Sequence, residues 1–224
     1  MNYLTDCDSK VLALADNFEL KRRKASHIDI NGIFHFNKKV FSSVRRSLDR
    51  GQLLAMASCF TRTQDIRVSE RIASVLVGIR SKSVTKFLLT EYSHCTVAKK
   101  QLIIYVLSNL SDNRCRRFFE NEWTNQELDR FARCNSYEAL ALLYARKKKT
   151  SLLIELISNG LQQEPHLQLA ALAKSCHLTE ATFPDHLVSR MAAIPVIVSE
   201  VCQAEDNWLY SRIRNRIQSD NASG

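Results

Sequence analysis

Glycine and proline are scarce in this chain, which holds only 5 Gly and 3 Pro in 224 residues. An all-β fold with many tight turns needs far more of both residue types, so the sequence argues against that class. No apolar run approaches the roughly 18 residues that a membrane-spanning helix requires. Residues 1–10, MNYLTDCDSK, are polar and acidic, unlike a secretory signal. These absences predict a cytoplasmic protein that makes no membrane contact.

Recognisable chemical motifs are also missing. The 7 cysteines are scattered, odd in number and without a C-x-x-C pair, which argues against a disulfide framework and against a zinc site. The histidines show neither the H-x-x-x-H nor the H-E-x-x-H spacing, and no glycine cluster suggests a phosphate-binding loop. The sequence therefore predicts no metal, no cofactor and no catalytic residue.

Positive charge is abundant and unevenly distributed. The net charge is +9, and residues 1–150 hold 27 Lys/Arg against 15 Asp/Glu, whereas residues 151–224 hold 5 against 8. Charge on this scale bears on the partners of a protein and says little about its fold. The asymmetry favours an acidic partner for the first two thirds of the chain.

The chain repeats itself at a spacing of 31 residues. The stretch VLVGIRSKSVTKFLLTEYS, from Val75, aligns with VLSNLSDNRCRRFFENEWT, from Val106. The matched pairs are Val75/Val106, Leu76/Leu107, Ile79/Leu110, Val84/Cys115, Phe87/Phe118, Leu88/Phe119 and Tyr92/Trp123. Two further copies fit the same alignment. One lies 31 residues earlier and has Val44, Leu48, Leu53 and Met56 in the matched positions. The other follows a four-residue insertion and has Ala141, Ala145, Thr150, Leu153 and Ile154 there.

Each copy has the pattern of a helix hairpin, because an apolar-periodic stretch is followed by a short polar turn and a second amphipathic stretch. A single hairpin cannot bury its apolar faces but a row of hairpins can, so the repetition predicts a stacked α-solenoid. The unit Arg71–Tyr92 resembles the short HEAT-like repeat of phycobilisome-lyase-type proteins, over about residues 40–160 of the chain. The resemblance implies an all-α fold, a right-handed α-solenoid serving as a scaffold, and no particular chemistry.

The segment before the repeats, residues 1–37, is predicted to form an N-terminal cap. Within it, Asn31-Gly32 lies between alternating apolar residues, a pattern typical of a small β-hairpin. The same stretch also suits a loop that leads into a helix at Lys38.

The HEAT-like repeats are predicted over residues 38–160, followed by a helical C-terminal extension over residues 161–218. All three prolines, Pro165, Pro184 and Pro195, lie in this extension and indicate helix starts or breaks. Residues 219–224 are predicted to form a frayed tail.

The repeat alignment gathers cations in and beside the turns between the two helices of each copy. Equivalent turns of a solenoid lie along one edge, and four of them would span about 30 Å, close to one turn of duplex DNA. Such an edge suits a DNA or RNA backbone, or an acidic protein surface. The alternative is a solvated rim, because cations at the C-terminal end of a first helix also favour the helix dipole. The predicted binding residues are Arg45, Arg46, Arg50, Arg80, Lys82, Lys86, Arg114, Arg116, Arg117, Arg146, Lys147, Lys148 and Lys149.

An enzymatic alternative follows from the resemblance, since some HEAT-like proteins are DNA glycosylases. A glycosylase needs a carboxylate near an aromatic wall that receives the damaged base. Two of the candidates, Glu122 and Trp123, repeat Glu91 and Tyr92 at 31 residues' distance, which favours a structural role. The candidate residues are Glu120, Glu122, Trp123, Asp129, Asp206 and Trp208.

A second alternative is a DNA-binding regulator with a helix-turn-helix at Leu172–Val188. That stretch has His177 in place of the usual turn glycine, and Pro184 falls inside the would-be recognition helix. The sequence therefore favours a non-enzymatic binding or scaffold module with a basic edge, and it leaves the oligomeric state open.

Overall fold

The computed structural model describes residues 6–28, 34–36, 48–79, 81–110, 112–205 and 207–222, and their regular secondary structure is helical apart from one short two-stranded ribbon. The fold is therefore all-α in class. The chain divides into two compact units, Met1–Cys115 (unit 1) and Arg116–Gly224 (unit 2). This division falls inside the predicted repeat region 38–160, and the predicted domain boundaries stay a prediction.

Unit 1 contains five described helices. Asp49, Asp65 and Ser81 start three of them as N-caps, with side-chain oxygens that accept hydrogen bonds from the first-turn backbone N–H groups. A 3-10 turn at Tyr92–His94 follows the fourth helix and another, Asn113–Cys115, follows the fifth. The helices are α1 (Asp6–Ala25), α2 (Arg50–Arg62), α3 (Ile66–Gly78), α4 (Lys82–Glu91) and α5 (Val97–Leu110).

The ribbon in unit 1 joins two three-residue strands. Strand β1 (Ser26–Ile28) pairs antiparallel with β2 (Phe34–Phe36), and His27 lies opposite His35. The intervening residues, which include the Asn31-Gly32 turn of the predicted hairpin, lie outside the described residues. The capping role of this element stays a prediction.

Alternate helices of unit 1 pack against each other. Helix α2 contacts α4, and α3 contacts α5, while α1 covers α2 and α3. The repeat pairs of the sequence form much of the resulting core: Val75 and Leu76 in α3 and Ile79, its C-cap, are buried, and their partners 31 residues later are buried in α5. The alignment thus predicted the buried faces correctly, because equivalent helices meet equivalent neighbours.

Unit 2 contains seven described helices and one 3-10 turn, Glu180–Thr182. The predicted role of the prolines is confirmed: Pro165 and Pro195 each begin a helix, and Pro184 is the N-cap of another. Across the described part of the chain, no helix is long and apolar enough to cross a membrane. The helices are α6 (Arg116–Glu122), α7 (Arg130–Arg146), α8 (Thr150–Gly160), α9 (Pro165–Ser175), α10 (Asp185–Ala192), α11 (Pro195–Gln203) and α12 (Trp208–Ala222).

Alternate packing recurs in unit 2, where α7 contacts α9, α9 contacts α11, and α10 contacts α12. Tyr137 is fully buried in this unit, and its hydroxyl donates to the Leu156 carbonyl oxygen at 3.1 Å. Helix α8 ends at Gly160, where a Cβ atom would lie 2.6 Å from the Tyr137 hydroxyl oxygen. Residue 160 must therefore be glycine, because the Tyr137 ring leaves no room for a side chain there.

The register predicted for the fourth repeat copy is wrong. It aligned Thr150 with the buried Cys115, yet Thr150 is exposed and begins α8. Helix α7 has 17 residues, against 13 in α3 and 14 in α5. The alignment already allowed four inserted residues. The buried Leu153 and Ile157 of α8 stand 34 positions after the buried Phe119 and Trp123, so the register differs by one residue from the predicted spacing of 35.

Candidate binding site at the basic turns

Ten of the thirteen predicted binding cations lie in the described residues, and Arg45, Arg46 and Arg80 lie outside them. Arg50, Lys82 and Arg116 are the first residues of α2, α4 and α6. Lys86 lies one turn into α4, so the structure corrects its predicted place in a turn. Among the ten, Arg114 lies in a 3-10 turn, Arg117 in α6, Arg146 ends α7, and Lys147–Lys149 connect α7 to α8.

These positions correct the helix-dipole interpretation for most of the cations. Arg146 lies in the last turn of a first helix, where the dipole favours a positive charge. Arg50, Lys82 and Arg116 instead occupy the N-terminal ends of second helices, where the dipole disfavours a cation. Dipole stabilisation therefore accounts for only a small part of the charge in these turns.

In unit 1 the basic turns of two successive copies are neighbours. The Nη1 atom of Arg114 donates to the Lys82 carbonyl oxygen at 3.4 Å, although the two residues are 32 positions apart. Arg114 also lies 3.8 Å from a carboxylate oxygen of Asp112, which neutralises part of its charge. Helix α4 thus begins beside the turn that precedes α6 in sequence.

In unit 2 the cations at the start of α6 and the end of α7 lie at one end. The Arg133 side chain of α7 donates to the Trp123 carbonyl oxygen, which follows α6. Further toward the start of α6 and the end of α7, the Tyr144 hydroxyl donates to Glu120 Oε1 at 2.7 Å. The two helices therefore run antiparallel, and the first residues of α6 lie at the same end as Lys147–Lys149.

The turn Lys147–Lys149 closes α7 by a Schellman motif. The Lys149 N–H donates to the Tyr144 carbonyl oxygen at 2.9 Å, and the Lys148 N–H donates to that of Ala145 at 3.0 Å. Lys148 has a φ of 52°, the single positive φ among non-glycine residues in the described part of the chain. Glycine is the usual residue at this position, because a side chain in the left-handed region is disfavoured by about 1 kcal/mol.

The cations of unit 2 differ in how they are neutralised. Arg116 Nε lies 3.5 Å from Glu120 Oε1, so its charge is partly balanced. Within the described residues, no carboxylate pairs with Arg117, Arg146 or Lys147–Lys149, and all of these are exposed. This end of unit 2 therefore presents a cluster of unneutralised positive charge, although unit 2 as a whole holds 13 Lys/Arg and 13 Asp/Glu.

A buried and extensively hydrogen-bonded cation, Arg133, was missed at the sequence level. Arg133 is 4% exposed and donates to Trp123, to Gln126 and, through two nitrogens, to Glu164 at 2.9 and 3.1 Å. These bonds to Arg133 hold the pKa of the Glu164 carboxyl below its usual value. A sequence signal existed, because Arg133 and Glu164 are opposite charges separated by the repeat length of 31 residues.

The residues weighed for a glycosylase have structural partners. Glu120 is held by Tyr144 and Arg116, and Asp129 is the N-cap of α7. Trp123 is 7% exposed and packs edge-on against Tyr137, which leaves little of its ring available to a base. Glu122 accepts a hydrogen bond from Asn125, Trp208 packs edge-on against Phe183, and Asp206 lies outside the described residues.

The helix-turn-helix alternative fits the observed helices poorly. Helix α9 ends at Ser175, and the next α-helix begins only at Asp185, after the 3-10 turn and Pro184. Pro184 therefore precedes the helix that it was expected to interrupt. The connection between the two α-helices is longer than the three or four residues of the motif.

Comparisons with known proteins add no family assignment. The chain matches no protein-family model, no curated protein sequence and no solved structure. The resemblance to HEAT-like repeats thus rests on the sequence pattern alone. Within the described ranges, no group of three or more His, Cys, Asp or Glu side chains is arranged to hold a metal ion.

Proposed function

We propose that this protein is a non-enzymatic helical-repeat module of the cytoplasm that binds an acidic macromolecule through its basic turns. The partner is a nucleic-acid backbone or an acidic protein surface. The principal contact is the cluster Arg146–Lys149 at the end of α7, joined by Arg116 and Arg117 at the start of α6.

The observation that carries this proposal is the conformation and isolation of Lys148. It lies at a φ of 52°, where glycine would be more stable, and its exposed ammonium has no carboxylate partner among the described residues. Strain of this kind persists where the residue has a function that offsets it. A lysine in a glycine position, between two further lysines, indicates that the charge is needed.

The solenoid interpretation is part of the same proposal. Contacts between residues about one repeat length apart support it in each unit: Lys99 reaches Ser69, 30 positions away, and Arg133 reaches Glu164, 31 positions away. Alternate helices pack against each other, as stacked hairpins do. Stacking of this kind would repeat the basic turn along one edge, as in the neighbouring Arg114 and Lys82 turns of unit 1.

The test is fluorescence-anisotropy binding of the full chain to a labelled random-sequence DNA duplex, a labelled RNA and a labelled poly-glutamate peptide, each over a salt series. The variant K147Q/K148Q/K149Q removes three charges from the cluster. Each phosphate contact contributes a slope of about 0.9 to the dependence of log K on log salt, so the variant should flatten the slope for nucleic acid by about 2–3.

The matched control is R62Q/R67Q/R130Q, which removes three exposed cations that lie outside the basic turns. It should leave the slope close to that of the wild type. Binding of poly-glutamate alone would identify an acidic protein as the partner class. Absence of binding to all three probes at about 100 mM salt, or an equal effect of both triple variants, would overturn the proposal.

A further inference from the structure

A cleft in unit 2 lies between α6, α7 and α8 and has a volume of about 280 Å³. Its apolar part is formed by leucines, among them Leu156, and by the side chains of Trp123 and Tyr144. Its polar part is formed by Glu120, Glu155 and Asn159. A cavity of this size, with an apolar floor and a few converging polar groups, is typical of a site for one small molecule or one side chain.

The hydrogen-bonding groups in the cleft are mostly acceptors. Glu155 and Asn159 lie one turn apart on α8, and their side chains have no partner among the described residues. Tyr144 donates its only proton to Glu120 Oε1, which leaves its oxygen as an acceptor. Asn159 supplies the one side-chain amide donor of the cleft.

The charge of the cleft is negative on balance. Arg116 lies 3.5 Å from Glu120 and balances that carboxylate, so Glu155 is the charge without a counter-ion in the described structure. Burial, the hydrogen bond to Glu120 and the negative charges of Glu120 and Glu155 raise the pKa of the Tyr144 hydroxyl, so it stays protonated at neutral pH. The cleft therefore offers acceptors and one free carboxylate together with leucine side chains.

We propose that this cleft binds an alkyl-ammonium or alkyl-guanidinium group. The cation would pair with Glu155 and donate to the remaining acceptors, while its alkyl stem would contact the leucines. Such a group occurs in free polyamines and in the Lys and Arg side chains of a partner protein. An anionic ligand is disfavoured because the cleft has an uncompensated carboxylate and few donors.

The experiment uses the full chain carrying W208F, which leaves Trp123 as the single tryptophan, because the chain has 2. Trp123 lines the cleft, so its fluorescence reports occupancy. The probes are putrescine, the peptides Ac-Ala-Arg-Ala-NH2 and Ac-Ala-Lys-Ala-NH2, and the neutral Ac-Ala-Nle-Ala-NH2. We expect saturable binding of at least one cationic probe and none of the neutral peptide.

The decisive variant is E155Q, with E200Q as its control, since Glu200 is also an exposed glutamate on a helix of unit 2 and lies outside the cleft lining. We expect E155Q to weaken binding of the cationic probe about tenfold or more, as loss of a charge-assisted hydrogen bond does, and E200Q to leave it unchanged. Stronger binding of putrescine would identify a free polyamine as the ligand, and stronger binding of a peptide would identify a protein side chain. No saturable binding, or equal effects of E155Q and E200Q, would overturn the proposal.

Discussion

The two ends of helix α7 carry cations in opposite circumstances. Near its start, Arg133 is buried and bonded to a carbonyl, an amide and a carboxylate. At its end, Arg146 and Lys147–Lys149 are exposed and have no carboxylate partner in the described part of the chain. A basic charge therefore acts according to its partners: Arg133 links α7 to the loop after α6 and to Glu164, whereas the charges at the other end remain available to a ligand.

Arg133→Leu should give the largest effect on stability. The change removes the donor to the buried Trp123 carbonyl oxygen and the partner of Glu164, and we expect a loss of about 2–3 kcal/mol in the free energy of unfolding. Urea denaturation followed by tryptophan fluorescence measures it. Arg130→Leu is the control, because Arg130 is exposed at the start of the same helix, and its effect should stay within about 0.5 kcal/mol.

Removing the cations at the end of α7 should weaken nucleic-acid binding and leave the stability of the fold nearly unchanged. K147Q/K148Q/K149Q should flatten the salt dependence of nucleic-acid binding by about 2–3 and change the free energy of unfolding by less than about 0.5 kcal/mol. Anisotropy titrations and urea denaturation of the same preparation measure both quantities. A large loss of stability in this variant would show that the turn is structural and would contradict the difference between the two ends of α7.

The ion pair of Arg133 should also make stability depend on pH. The bonds from Arg133 lower the pKa of Glu164 in the folded protein, so their contribution is present above the ordinary glutamate pKa of about 4.3 and is lost as the pH falls through the lower folded value. Melting temperatures of the wild type and of Glu164→Gln, measured from pH 7 to pH 2.5, should differ at neutral pH and converge in acid. A difference that is constant with pH would exclude this origin.

Lys99 of unit 1 is intermediate in exposure between the buried Arg133 and the exposed Lys147–Lys149. Its ammonium donates to Ser69 Oγ at 2.6 Å and lies 5.1 Å from the centre of the Phe60 ring, and burial lowers its pKa. The wild type should therefore gain stability relative to Lys99→Met as the pH rises between the lowered folded pKa and the ordinary lysine value of about 10.4. Denaturation of both proteins between pH 7 and pH 10.5 tests this, and a falling difference would contradict it.

Sequence pattern was sufficient for the helical class and for most of the buried faces. The pairs Leu76/Leu107 and Leu88/Phe119 are all buried, because a 31-residue repeat places them against equivalent neighbours. The alignment failed at Thr150, because the register of α8 differs by one residue from the predicted one.

Of the candidate site, only the clustering of positive charge could be predicted from the sequence. The sequence placed Lys147–Lys149 in a turn, but the left-handed backbone of Lys148 and the lack of a counter-ion depend on folded geometry. The partners of Arg133 and the cleft at Glu155 require side chains from distant positions to meet. Charge counts alone could not separate the cation that stabilises the fold from those left exposed.

The most direct measurement compares Lys148→Gly with Lys148→Arg and the wild type, in both urea denaturation and salt-dependent nucleic-acid binding. Glycine relieves the positive φ, so Lys148→Gly should raise the free energy of unfolding by about 0.5–1 kcal/mol and lower the salt slope by about 1. Lys148→Arg keeps the charge and the strain, and it should match the wild type in both. If Lys148→Gly is more stable and binds with an unchanged slope, the charge of Lys148 is not used, and the central claim is wrong.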